Sequence, residues 1–63
     1  MDNVQGNEDH PPKIELVQAC GEWFVRVVEN GQATTVSFDL ETFAVTYAEG
    51  QRIRLGLDCI DRI

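Results

Sequence analysis

Asn30 and Gly31 stand between two runs of alternating apolar and polar residues, and this dipeptide constrains the chain more than any other feature. A two-residue hairpin loop of type I′ needs positive φ at both central positions, and Asn followed by Gly tolerates this best. With the loop placed there, Val27 falls opposite Thr34, Val25 opposite Val36 and Trp23 opposite Phe38, so one face of the hairpin is almost wholly apolar. A second turn at Cys20-Gly21 sets Leu16 opposite Val25 and Ile14 opposite Val27 on that same face, while Glu15 meets Arg26 on the other. Moving this register by one residue puts Val17 against Arg26 and turns the apolar set outward. The spacing therefore predicts a three-stranded antiparallel meander, about 14–19, 22–29 and 32–38, with the second strand central and both outer strands as unpaired edges.

A sheet whose inner face carries Ile14, Leu16, Trp23, Val25, Val27, Val36 and Phe38 needs a cover, which residues 39–63 must supply. Read at helical spacing, Leu40, Phe43, Ala44, Tyr47, Ala48, Gln51 and Leu55 form one stripe. Asp39 suits the N-cap, Glu41 the first turn, Arg52 and Arg54 the last turn, and Gly56 the stop. Read in twos, Phe43, Val45, Tyr47, Ile53, Leu55 and Leu57 alternate like a further hairpin, which would give an all-β five-strand meander. That alternative requires Glu49-Gly50 as its turn, and Glu fits a positive-φ position poorly. The reading adopted is α+β, with a helix over about 40–56 covering one face of the sheet and Trp23 anchoring the core.

Size and charge limit the rest. A chain of 63 residues forms one domain and buries about 60% of the surface its unfolded state exposes, so oligomerisation is one route to further burial. Residues 1–12 are polar and contain Pro11 and Pro12, which predicts a disordered tail before a single domain over 13–63. The net charge of −6 disfavours nucleic acid. Only residues 50–63, with Arg52, Arg54 and Arg62 against Asp58 and Asp61, are net basic. Neither a secretory signal nor a long apolar run is visible, so a cytoplasmic protein without a membrane partner is expected.

The residues that could carry chemistry point away from catalysis. His10 is the only histidine and sits in the predicted tail, without the fixed partners that acid-base work requires. Cys20 and Cys59 lack further ligands at zinc spacing and are expected as free thiols, so neither metal nor cofactor is expected. Asp58 and Asp61 would need a deep cleft to separate their pKa values before they could act as an acid-base pair. Burying the Gln51 amide on the apolar stripe would call for a hydrogen-bond partner. No enzyme activity is predicted.

The outer sheet face is different. There Val17 lies opposite Phe24 and Val28 opposite Ala33, with Glu15, Arg26, Thr35 and Ser37 around them, an apolar centre within a polar surround. Val17, Phe24, Arg26 and Val28 are therefore the candidate interaction surface of a small non-enzymatic protein-interaction module. Its partner is another protein or a second copy, as a homodimer joined through this face or a sheet edge.

Two resemblances bear on this. The run W-F-V-R-V, then N-G, then S-F-x-x-E-x-x-A-x-x-Y-A-E-G-Q-R-x-R-L-G-L, covering Trp23 to Leu57, resembles a loose class of short bacterial proteins of unknown function. It implies a β-β-β-α fold and no activity. A three-stranded sheet followed by a helix is also similar to the arm-binding domains of phage-type integrases and to plant AP2 domains, which implies a sheet laid in the DNA major groove. Those readers need Arg and Lys on the exposed sheet face. Here the register places Arg26 there, facing Glu15.

Overall fold

A computed structural model of the chain describes residues 11–63. The predicted tail, with His10, lies almost wholly outside the described residues. Three strands, β1 (Lys13–Ala19), β2 (Glu22–Glu29) and β3 (Gln32–Phe38), lead into a helix, α1 (Glu41–Leu55), and the chain closes with a two-residue strand, β4 (Asp61–Arg62). This is an α+β fold, an antiparallel meander with one C-terminal helix packed on it.

Both tight turns form as the dipeptides require. Cys20 and Gly21 have φ of 54° and 76°, and Asn30 and Gly31 repeat the same pair of values. Two consecutive positive φ angles define the I′ geometry, whose twist matches that of the flanking strands. The register follows: Leu16 pairs with Val25, Ile14 with Val27, Val25 with Val36 and Trp23 with Phe38.

The helix starts one residue later than Asp39 would have set it. Leu40, extended at φ −121° and ψ 142°, occupies the N-cap without a side-chain cap bond, and its carbonyl accepts from the Ala44 amide at 3.2 Å. Gly56, at φ 71°, ends it. The Leu57 amide donates to the Arg52 carbonyl at 3.0 Å and the Gly56 amide to the Ile53 carbonyl at 3.1 Å, a Schellman closure. The stretch from Glu41 to Leu57 that also alternates in twos is thus helical, and the five-strand alternative is not the structure.

Ile14, Leu16, Val25 and Val27 from the sheet and Ala44 and Ala48 from the helix make the buried core. Both alanines have no exposed surface. Their small side chains allow the helix to lie close on the sheet, and they centre the buried helix face between Val45 on one side and Tyr47 on the other. The expected stripe is corrected in two places: Leu40, at the N-cap, and Phe43, beyond the margin of the buried face, are 55% and 58% exposed. Trp23 is half-buried against the core rather than at its centre, and Phe38 meets Tyr47 with ring centroids 5.5 Å apart.

The sheet order is β3-β2-β1-β4. β4 was not expected. It runs parallel to β1, aligning Asp61 with Glu15 and Arg62 with Leu16, and the Ile63 amide donates to the Leu16 carbonyl at 2.9 Å. The expectation of two unpaired edges is therefore corrected: the chain's own end occupies part of the β1 edge. No helix among the described residues is long and apolar enough to cross a membrane.

Candidate interaction surface

Alternation along three strands in fixed register builds the helix-free face in rows. The first row is Val17, Phe24 and Ser37; the second is Glu15, Arg26 and Thr35; the third is Lys13, Val28 and Ala33. The candidate residues Val17, Phe24, Arg26 and Val28 thus share one face. Val17, Phe24 and Val28 are half-buried by their neighbours within the sheet, and Arg26 is exposed.

The middle row separates the apolar patches with an ion trio. The Arg26 Nη1 donates to the Glu15 Oε1 at 3.0 Å, and the Lys13 Nζ lies 3.4 Å from Oε2 of the same carboxylate. Glu15 is the sheltered member, its side chain 15% exposed against 50% for each cation. Partial desolvation pushes its carboxyl pKa up, but the hydrogen bonds from Arg26 and Lys13 and their positive charges together outweigh that and hold it below the ordinary glutamate value. Lys13 was absent from the candidate surface. Its parity with Glu15 and Val17 on β1 was the signal for it.

The other basic groups are engaged as well. Arg52 reaches Glu49 at 2.7 Å and the Leu57 carbonyl at 3.0 Å, Arg54 reaches Glu29 at 2.6 Å, and Arg62 reaches Glu41 at 2.6 Å. Gln51, expected to need a partner, accepts from the Arg54 Nε at 2.9 Å at the margin of the helix face. Exposed pairs of this kind add little to stability, but each cation is directed onto a carboxylate of the chain itself.

An open cleft of about 440 Å³ lies between the helix and the β1–β4 side, lined by Leu16, Val45, Glu49, Arg52, Ile60 and Arg62 among others. Asp58 and Cys59 sit at its wall. Asp61 lies in β4, so the two aspartates face water rather than an enclosed site. Cys20 and Cys59 are both exposed, unbonded thiols. No group of three or more metal-binding side chains occurs among the described residues. Comparisons with protein-family models, with curated proteins and with solved structures find nothing that matches this chain.

Proposed function

We propose that the chain is a small non-enzymatic protein-interaction module whose contact surface is the helix-free face of its sheet. One observation carries this reading. The helix covers the face that bears Ile14, Leu16, Val25 and Val27, while Val17, Phe24 and Val28 form apolar patches beside the Glu15–Arg26–Lys13 trio with no described element above them. The trio stands in the middle row, where the sequence pattern predicts an apolar centre, so the face offers two separate apolar patches with charged groups between them in place of one apolar centre with a polar rim. We place the module in the cytoplasm, where both thiols stay reduced. The fold resemblance to short bacterial β-β-β-α proteins is consistent with this and adds no activity.

Duplex DNA is the weaker partner. All five Lys and Arg side chains of the chain lie within ion-pair distance of a glutamate, and the net charge is −6, so phosphate contacts would have to break existing pairs.

Photo-crosslinking tests the proposal. A benzophenone amino acid is placed at position 24 of the full chain in its host cells, and at position 42, on the exposed side of the helix, as a control. The expected result is a discrete adduct from position 24 and none from position 42. An adduct of twice the chain mass identifies a second copy, and any other discrete mass identifies a different protein. Absence of a discrete adduct from position 24, or equal adducts from both positions, overturns the reading.

A further inference from the structure

The two edges of the sheet differ in a way that selects a partner. A two-residue hairpin loop closes on a hydrogen-bonded pair, so Glu29 and Gln32 exchange backbone bonds, and the alternation of an antiparallel ladder extends this to Val27–Thr34, Val25–Val36 and Trp23–Phe38. The backbone groups of Ala33, Thr35 and Ser37 consequently point away from β2, to the free side of β3. The same rule applied to the Cys20-Gly21 hairpin points the Leu16 carbonyl away from β2, where the Ile63 amide meets it at 2.9 Å. That bond is an independent check on the alternation.

No described element pairs with the free side of β3. Its seven residues, QATTVSF, include neither a charge nor a proline. Edge strands that must stay single are commonly blunted by charge, proline or a bulge, and β3 carries none of these in its seven residues.

We propose that β3 pairs antiparallel with β3 of a second copy about a two-fold axis at Thr35. This rests on the reading of the chain as an interaction module, and it supplies the partner and geometry of self-association. Residues directly opposite in an antiparallel pair share a face, so the register must join positions of equal parity. Pairing Thr35 with Thr35, and Ala33 with Ser37, does so and uses the backbone N–H and C=O of all three residues in each copy, six hydrogen bonds by ladder geometry. Thr35 then faces its own copy, a favourable cross-strand pair.

Charge and shape specify a second copy as the occupant. A chain of net −6 repels itself over most of its surface, but the uncharged β3 sets no like charges directly opposite one another. The helix runs back over the sheet, with Arg54 bonded to Glu29 beside the start of β3 and Phe43 near its end. It packs mainly on β1 and β2, leaving a groove of about 160 Å³ toward β3 that includes Thr34, Tyr47 and Gln51 in its lining. In the proposed register the end of one β3 lies against the start of the other. This carries the exposed Leu40 and Phe43 of each copy toward the groove of its partner and accounts for two large apolar side chains 55% and 58% open to water.

Sedimentation velocity and amide exchange, run on the full chain from micromolar to millimolar concentration, test the pairing. The expected mass rises from one chain to two, and the amides of Ala33, Thr35 and Ser37 exchange about tenfold more slowly, or slower still, at the high end, while those of Thr34 and Val36 hardly change. Thr35→Lys, with a folded circular dichroism spectrum, remains a monomer, and Thr35→Pro does the same by removing the central donor. Gln18→Lys, on β1 and separated from β3 by β2, dimerises like wild type. A wild type of single-chain mass throughout, a dimer that survives both Thr35 substitutions, or protection of Thr34 in place of Thr35 overturns the proposal. A monomer that still gives the position-24 adduct with another protein sinks this pairing and leaves the helix-free face standing.

Discussion

Val25 and Phe24 are neighbours on β2, yet they occupy opposite faces of the sheet. Val25 has no exposed surface and lies with Ile14 and Leu16 against Ala44 and Ala48, whereas Phe24, the larger side chain, lies half-buried on the helix-free face beside Val17 and Ser37. A small domain would be expected to cover its bulkiest apolar groups first, but this helix covers aliphatic residues with alanines and leaves phenylalanines at positions 24 and 43 outside. What decides is approach distance. Alanine brings the helix backbone close to the sheet, which seals the thin face of Ile14, Leu16, Val25 and Val27 completely, and a bulkier contact would have held the layers apart.

The contrast is largest for a charge. Val25→Asp places a carboxylate in the core without a partner, a cost on the order of 3–5 kcal/mol. A domain of this size has about 5 kcal/mol or less in total, so far-UV circular dichroism should show an unfolded chain. Phe24→Asp, one residue away, should remain folded and lose about 1–2 kcal/mol of burial within its own face. A folded Val25→Asp, or an unfolded Phe24→Asp, would reverse the assignment of the two faces.

A smaller effect probes the close approach itself. Ala48→Leu forces extra volume between helix and sheet and should cost about 1–3 kcal/mol, read as a lower urea midpoint with an unchanged slope. Thr46→Leu, on the exposed side of the same helix, should stay within about 0.5 kcal/mol of wild type. Equal shifts at the two positions would mean that the layers are not in tight contact at Ala48.

These differences also mark what could be read from the chain. Turn chemistry at Cys20-Gly21 and Asn30-Gly31 set the register of three strands, because a period of two leaves no intermediate choice once a two-residue loop is placed. That register put Val17, Phe24, Arg26 and Val28 together. Helix rotation was less legible, since a stripe that takes in Leu40 and Phe43 and one centred on Ala44 and Ala48 share most of their residues, and packing distance decides between them. β4 could not be found by periodicity. Two residues contain no pattern, and Asp61 and Arg62 are held beside β1 by the Ile63–Leu16 backbone bond and by Ile60, which packs against the core just before them. Lys13 was missed because it stands at the start of β1, although its parity with Glu15 assigned its face.

The smallest effect concerns Glu15, whose charge lies between the two apolar patches of the open face. Arg26 and Lys13 hold its folded pKa below the unfolded value, so the ionised form binds the fold more strongly than the protonated form does. The stability it supplies is therefore complete above the unfolded glutamate pKa and disappears as pH falls through the depressed folded value. Glu15→Gln removes that contribution while keeping the size of the side chain. Wild type should have the higher urea midpoint at neutral pH, and the gap should narrow once pH drops below the ordinary glutamate range. Nuclear magnetic resonance titration of the Glu15 carboxyl carbon should place its midpoint on the acid side of the ordinary glutamate value. A midpoint on the alkaline side would mean that desolvation dominates and that the cations do not hold the carboxylate. The open face would then carry an unpaired acid between its patches and resemble ordinary wet surface more than an interface.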